Sequence, residues 1–252
     1  MVRANGIPTY IVPDIAYHYN KLVTRGYDIA IDVLGADHHG YIPRMRAALS
    51  ALGLDASRLN PVIMQMVRLV RNGETVKLSK RSGKAITLNT LLEEVPIDAA
   101  RFLFNLREPN SHCDFDLELA VTKSSENPVY YVQYAHARIC SILKKAKEQG
   151  IEACDVSQSA LNRLNTSEER ELISFLAGLT DEIITSAKAY DPARITHYVI
   201  ELATLFHKFY NAHRVVSEDE ELTQARLYLC TAVKNTIKNI LVMLKVDVPE
   251  SM

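Results

Sequence analysis

From Lys77 to Lys84 the chain reads Lys-Leu-Ser-Lys-Arg-Ser-Gly-Lys, four cations with no acid among them. Gly83 and the two serines let the backbone bend, so the run predicts an exposed loop and not a core element. Clustered ammonium and guanidinium groups on such a loop suit the neutralisation of a polyanion, a nucleoside triphosphate or RNA. On composition alone a solvated Lys-rich turn explains the run more simply.

Three other constellations could carry chemistry. Tyr10 and Asp14 stand four apart: a carboxylate can accept a bidentate bond from a guanidinium, and a tyrosine ring offers a face to stack on. A helix cap for Asp14 and a core role for Tyr10 are the simpler readings. Gly35-Ala36-Asp37-His38-His39-Gly40 directly follows an apolar run. Glycine there allows close backbone approach to a flat ligand, and imidazole supplies a stacking face and a hydrogen-bonding edge. The same Asp-His-His occurs in manganese phosphoesterases, but the chain lacks the Gly-rich His motif and the earlier Asp-x-Asp that would complete such a cluster. Finally, Tyr130, Tyr131 and Tyr134 gather with Gln133, His136 and Arg138, and Phe209 to Arg214 forms a second aromatic and basic patch. Tyr131, Tyr134 and Arg138 can share one helix face. Aromatic rings on such a face hold single-stranded bases by stacking, or else fill a bundle core.

The elements that must position these residues divide the chain in two. Pro8–Val12 and Ile29–Leu34 read as strands, with a helix from Pro13 to Arg25 between them. A helix over Ile42–Leu52 and a strand over Val62–Val70 follow, giving a β-α-β-α-β order, half of a parallel sheet covered by helices. Leu88–Glu94, Asp98–Leu106 and Asp116–Lys123 read as helical, and Asn127-Pro128 as a break. Beyond it, helices are expected over Tyr130–Glu148, Glu168–Ala189, Asp191–Val216 and Glu218–Leu244. The fold class is α/β followed by all-α, with a boundary near Lys123 that separates 1–122 from 123–252. Hydrophobic residues at 48% and a net charge of -1 describe an ordinary globular chain, so any RNA contact must come from local basic patches. The four cysteines are far apart with no Cys-x-x-Cys pair, which argues against zinc and fits a reduced, cytoplasmic protein.

The order Lys77-Leu78-Ser79-Lys80-Arg81 resembles the second signature motif of class I aminoacyl-tRNA synthetases. With Gly35–Gly40 upstream and Tyr130-Tyr131-Val132-Gln133-Tyr134-Ala135-His136-Ala137-Arg138 downstream, nearly the whole chain resembles a bacterial-type arginyl-tRNA synthetase. The first signature, His-Ile-Gly-His, does not occur in these 252 residues. The resemblance is therefore to the C-terminal portion of that enzyme. It implies the C-terminal half of a Rossmann-like catalytic domain, then a helical-bundle anticodon-binding domain. It further implies an arginine–tRNA ligase that forms arginyl-adenylate from ATP with Mg2+ and transfers it to tRNA(Arg), with no protein-ligated metal. Lys77, Ser79 and Lys80 take the catalytic role, with Lys80 foremost on the leaving phosphates. Tyr10 and Asp14 match arginine-binding positions, and Gly35, Asp37, His38, Lys77 and Lys80 match the ATP site. The tRNA falls to Tyr131, Tyr134, His136, Arg138, Tyr210 and Met252. A monomer, inactive on its own, is expected. The alternatives are a tRNA-binding module without activity and, more remotely, the metal phosphoesterase.

Overall fold

A computed structural model describes residues 3–76, 87–151 and 156–252. The chain forms two compact units, one of Met1–Val67 with Pro109–Cys113, the other of Arg68–Glu108 with Asp114–Met252.

The first unit opens with helix α1, Ile11–Tyr19, which runs on into a π-helical turn, Asn20–Thr24. The strand expected at Pro8–Val12 is absent: Tyr10 already has helical angles, and Val12 donates to the Thr9 carbonyl at 3.0 Å. Pro13 does not prevent this, because it occupies the first turn, where backbone N–H groups have no helical acceptor in any case. Gly26, at φ +69°, ends the helical run. Strand β1, Ala30–Gly35, then pairs in parallel with β2, Leu59–Met64, in the register Ala30 to Leu59 through Gly35 to Met64. A short 3-10 turn, Ala36–His38, and helix α2, Tyr41–Ala51, form the crossover. Leu22, Ala30, Met45, Leu49 and Leu59 make the core of this unit.

The single strand expected at Val62–Val70 is two, β2 and β3, Val67–Arg71, with Gln65-Met66 as the break. Strand β3 lies between β4, Glu74–Thr75, and β5, Cys113–Asp116, the last of which the sequence did not announce. Helices α3, Leu88–Glu94, α4, Ile97–Phe104, and α5, Leu117–Val121, belong to the second unit.

The rest is helical: α6, Pro128–Glu148; α7, Gln158–Leu161; α8, Ser167–Ala177; α9, Leu179–Ala189; α10, Ala193–Ala212; and α11, Glu220–Met243. Asn127-Pro128 starts α6 instead of merely interrupting the chain, with the Asn127 side chain accepting from Val129 N–H and proline at the first helical position. The helix expected over Glu168–Ala189 divides at Gly178, the residue type least suited to a helix interior after proline. Ile139 on α6, Leu202, Phe206 and Phe209 on α10, and Leu227 and Ile237 on α11 are fully buried. No helix among the described residues is long and apolar enough to cross a membrane.

Candidate functional site

Two clefts, one in each unit, gather the residues singled out above. The first has a volume of about 550 Å³. Tyr10, Asp14, Tyr17, His18 and Lys21, at three- and four-residue steps along α1 and its π-turn, line one side. Asp32 on β1, Asp37 and His38 on the 3-10 turn, and Tyr41 and Arg44 on α2 line the other.

Asp14 Oδ2 accepts from the Tyr41 hydroxyl at 2.8 Å. Burial, and then the adjacent Asp14 carboxylate, push the Tyr41 phenol far above its ordinary pKa, so it stays a donor. Below this pair, the Asp32 carboxylate takes His18 Nε2 at 2.6 Å and Lys21 Nζ at 2.9 Å. The His18 bond, foremost, holds the Asp32 pKa down at about 2, and the same bond raises that of His18. His18 Nδ1 meets the Asp14 carbonyl oxygen at 2.7 Å, so both ring nitrogens face acceptors, the setting of an imidazolium. This network fixes the backbone of Asp14 while Tyr41 fixes its carboxylate. The remaining Oδ1 of Asp14 has no protein partner among the described residues, and Tyr10 stands exposed one turn before it. An anionic oxygen beside an open aromatic face suits a planar cation.

At the mouth, Gly35 ends β1. A Cβ there would come within 2.7 Å of Asp37 Oδ1, so a side chain at this position would push the Asp37 carboxylate aside. His38 lies edge-on to Tyr41, with ring centroids 6.3 Å apart. Among the described residues no group of three or more His, Cys, Asp and Glu side chains could hold a metal ion. Lys77, Ser79 and Lys80 lie outside the described residues.

The second cleft, about 280 Å³, lies between α6, α10 and the chain's last residues, lined by Tyr134, Arg138, Lys145, Tyr210, Ser251 and Met252 among others. The Arg138 guanidinium is 4.7 Å from the Tyr134 ring centroid and 5.1 Å from that of Tyr210, and it donates to the Tyr134 hydroxyl at 2.6 Å. Tyr130 stacks beside Tyr134, the planes 7° apart. The result is a row of flat surfaces with a cation in it, half open to solvent. Tyr131 turns elsewhere: its ring packs on His207 at 5.0 Å and its hydroxyl reaches Thr204 at 3.4 Å. His136 is buried, 3% exposed, with Nδ1 on the Pro249 carbonyl at 2.9 Å. The fold thus brings Tyr134, Arg138, Tyr210 and Met252 together and sets Tyr131 and His136 apart from them.

The DALR anticodon binding domain family matches residues 132–252. An arginine–tRNA ligase from Caldanaerobacter subterraneus subsp. tengcongensis is 53% identical over all 252 residues, which span 45% of that protein. One from Staphylococcus epidermidis is 50% identical over the same length, again 45% of the relative. Along its whole length the chain is similar to arginyl-tRNA synthetases, and it matches their C-terminal portion. It spans a little under half the length of these curated relatives. The fold of the Thermus thermophilus arginyl-tRNA synthetase superposes on all of the chain with a TM-score of 0.82 at 24% identity, using 50% of that structure.

The sequence alone does not single out His18, Lys21, Asp32, Tyr41 and Arg44 as lining the first cleft, or Lys145 the second. The signal for the α1 residues was present: Asp14, His18 and Lys21 continue the spacing that begins at Tyr10. Asp32 was legible as the one charge inside an otherwise apolar strand. Tyr41 could be found only through the fold, since 27 residues separate it from Asp14.

Proposed function

We propose that these residues form the tRNA-reading part and one wall of the amino-acid-activating site of an arginine–tRNA ligase. The observation that carries the reading is the second cleft, where Tyr134, Arg138, Tyr210 and Met252 converge on the segment matched by an anticodon-binding family. Exposed aromatic faces with an interleaved guanidinium suit unstacked anticodon bases, and Lys145 beside them suits the phosphate backbone.

In the first cleft, Asp14 and Tyr10 receive the arginine guanidinium, and Gly35, Asp37 and His38 face the adenosine of ATP, which enters as its Mg2+ complex. Lys77 and Lys80, with Ser79, act on the phosphates, where charge builds as pyrophosphate leaves. Residues 1–122 carry this activating part and 123–252 the anticodon-binding part. The parallel pair β1–β2 leaves Ile31 48% and Val33 62% exposed within its unit. Parallel sheets are ordinarily covered on both faces, which supports a requirement for further elements before activation can occur. The setting is the cytoplasm, where tRNA is charged.

A gel shift of the 252-residue chain against arginine tRNA, with an anticodon-substituted tRNA beside it, tests the reading. The arginine tRNA should be retained more tightly, the complex should weaken steeply with salt, and the chain alone should show no arginine-dependent ATP–pyrophosphate exchange. Equal retention of the two tRNAs would remove anticodon reading from the chain.

A further inference from the structure

The second cleft has a wall that is not helical. Beyond α11, the segment Lys245–Met252 lies along α4 and α6, held through main-chain groups. Arg101 donates to the Lys245 carbonyl at 2.6 Å. The Asp98 carboxylate accepts the Asp247 N–H at 3.1 Å, and the Gln133 amide donates to the Asp247 carbonyl at 3.0 Å and to Asp98 at 3.1 Å. One turn further along α6, His136 Nδ1 donates to the Pro249 carbonyl at 2.9 Å. Val246, 3% exposed, anchors the segment from below. Gln133 and His136, three apart, therefore hold alternate carbonyls of an extended strap, and two residues past the second of them Ser251 and Met252 enter the cleft beside Tyr210.

The His136 ring cannot serve RNA as it stands. Nδ1 is occupied by Pro249, and Nε2 is buried with no hydrogen-bond partner among the described residues. Reaching a base would require the ring to leave its bond and its site.

We propose that His136, with Gln133, is a positioning residue: it docks the strap so that Ser251 and Met252 close one side of the cleft that receives the anticodon loop. The RNA half of this inference rests on the proposed function, while the docking half does not. Bonds to main-chain oxygens make the docking independent of the strap's own side chains, so the device needs only a donor at each α6 position. Without these donors, Met252 would leave a cleft open at one end.

The test uses the full chain with 13C-methyl methionine, the Met252 signal being assigned by its loss in Met252→Leu. In the unchanged chain the Met252 methyl should be displaced by the neighbouring tyrosine ring, and the Asp247 amide should exchange slowly. In His136→Leu the methyl should move to its random-coil position and tRNA affinity should fall about tenfold, the scale of losing one contact at a base. His136→Gln, which keeps an N–H donor, should recover much of both. Gln133→Leu removes the other anchor from a less buried position and should show the same paired loss, which keeps the test decisive should His136→Leu fail to fold. A Met252 methyl unmoved in both leucine variants would overturn the docking. Affinity that falls while the methyl stays in place would assign His136 to RNA contact instead. Methyl displacement as expected in a chain that binds no tRNA would overturn the RNA half and with it the proposed function, leaving only a structural strap.

Discussion

Asp14 and His18 show how one helical turn divides its work. The side chain of Asp14 faces the cleft, whereas its carbonyl is held from behind by the His18 ring, itself paired with Asp32. If Asp14 receives a guanidinium, Asp14→Asn in a complete enzyme should raise the KM for arginine far more than that for ATP. Tyr41→Phe removes only the bond that orients the carboxylate, so it should raise the arginine KM by about tenfold, the worth of one hydrogen bond to a charged group. Arginine and ATP constants rising together would make Asp14 a structural cap. His18 offers a second handle. Because its pKa is raised on folding, its stabilising contribution is complete below its ordinary value of 6.5 and disappears as pH rises through the higher folded value. Asp32 behaves oppositely, contributing above its ordinary carboxylate value and losing that contribution as pH falls toward about 2. An NMR titration of His18 should therefore give a midpoint above 6.5, lowered by Asp32→Asn; a midpoint indifferent to that change would dissolve the pair. At this scale the sequence showed which residue types could act, with Asp32 visible as the one charge in its strand, but not Tyr41, which the crossover helix brings to Asp14.

Helices were easier to read than strands, for a reason visible in particular elements. Pro8–Val12 has the β-branched and aromatic content of a strand, yet among the described residues only Pro8 makes a bridge, and the local bonds from Val12 and Asp14 back to Thr9 and Tyr10 take the rest into α1. Its outcome for the cleft is unchanged, since helical spacing still places Tyr10 and Asp14 on one side. Strand β5, four residues long, carries too short a pattern to be seen. In the helical unit the deciding contacts are long-range. Glu169 is fully buried at the start of α8, completing a capping box with Thr166 and bonding Arg226 of α11 at 2.8 Å. Arg226 also donates to the Arg214 carbonyl at 2.7 Å. Burial works against the Glu169 charge, but the Thr166 N–H and Arg226 outweigh it and hold its pKa below the ordinary value. Glu169→Ala leaves the Arg226 cation buried with no counter-charge and should cost about 3–5 kcal/mol in urea unfolding. A loss below about 1 kcal/mol would reduce the pair to a surface-like ion pair.

Taken whole, the chain combines a two-stranded parallel unit with a helical unit whose last residues fold back along α4 and α6. The motif order along the sequence was enough to expect both parts, because each motif is local. What it could not supply was the convergence of residues from positions 134, 138, 210 and 252 on one cleft, or the separation of Tyr131 and His136 from it. Tyrosines at three- and four-residue spacing look alike in sequence; both rings lie near His207, but Tyr131 reaches Thr204 whereas Tyr134 meets Arg138. The function proposed for the second cleft requires its open tyrosines to be RNA contacts. The most direct measurement is the affinity of the chain for arginine tRNA at fixed salt, with Tyr134→Ala and Tyr210→Ala compared against the unchanged protein and helix content followed by circular dichroism. Each variant should bind more weakly by about 1–3 kcal/mol with its helix content intact. Unchanged affinity in both, or a loss that tracks unfolding, would contradict the claim that this cleft reads the anticodon.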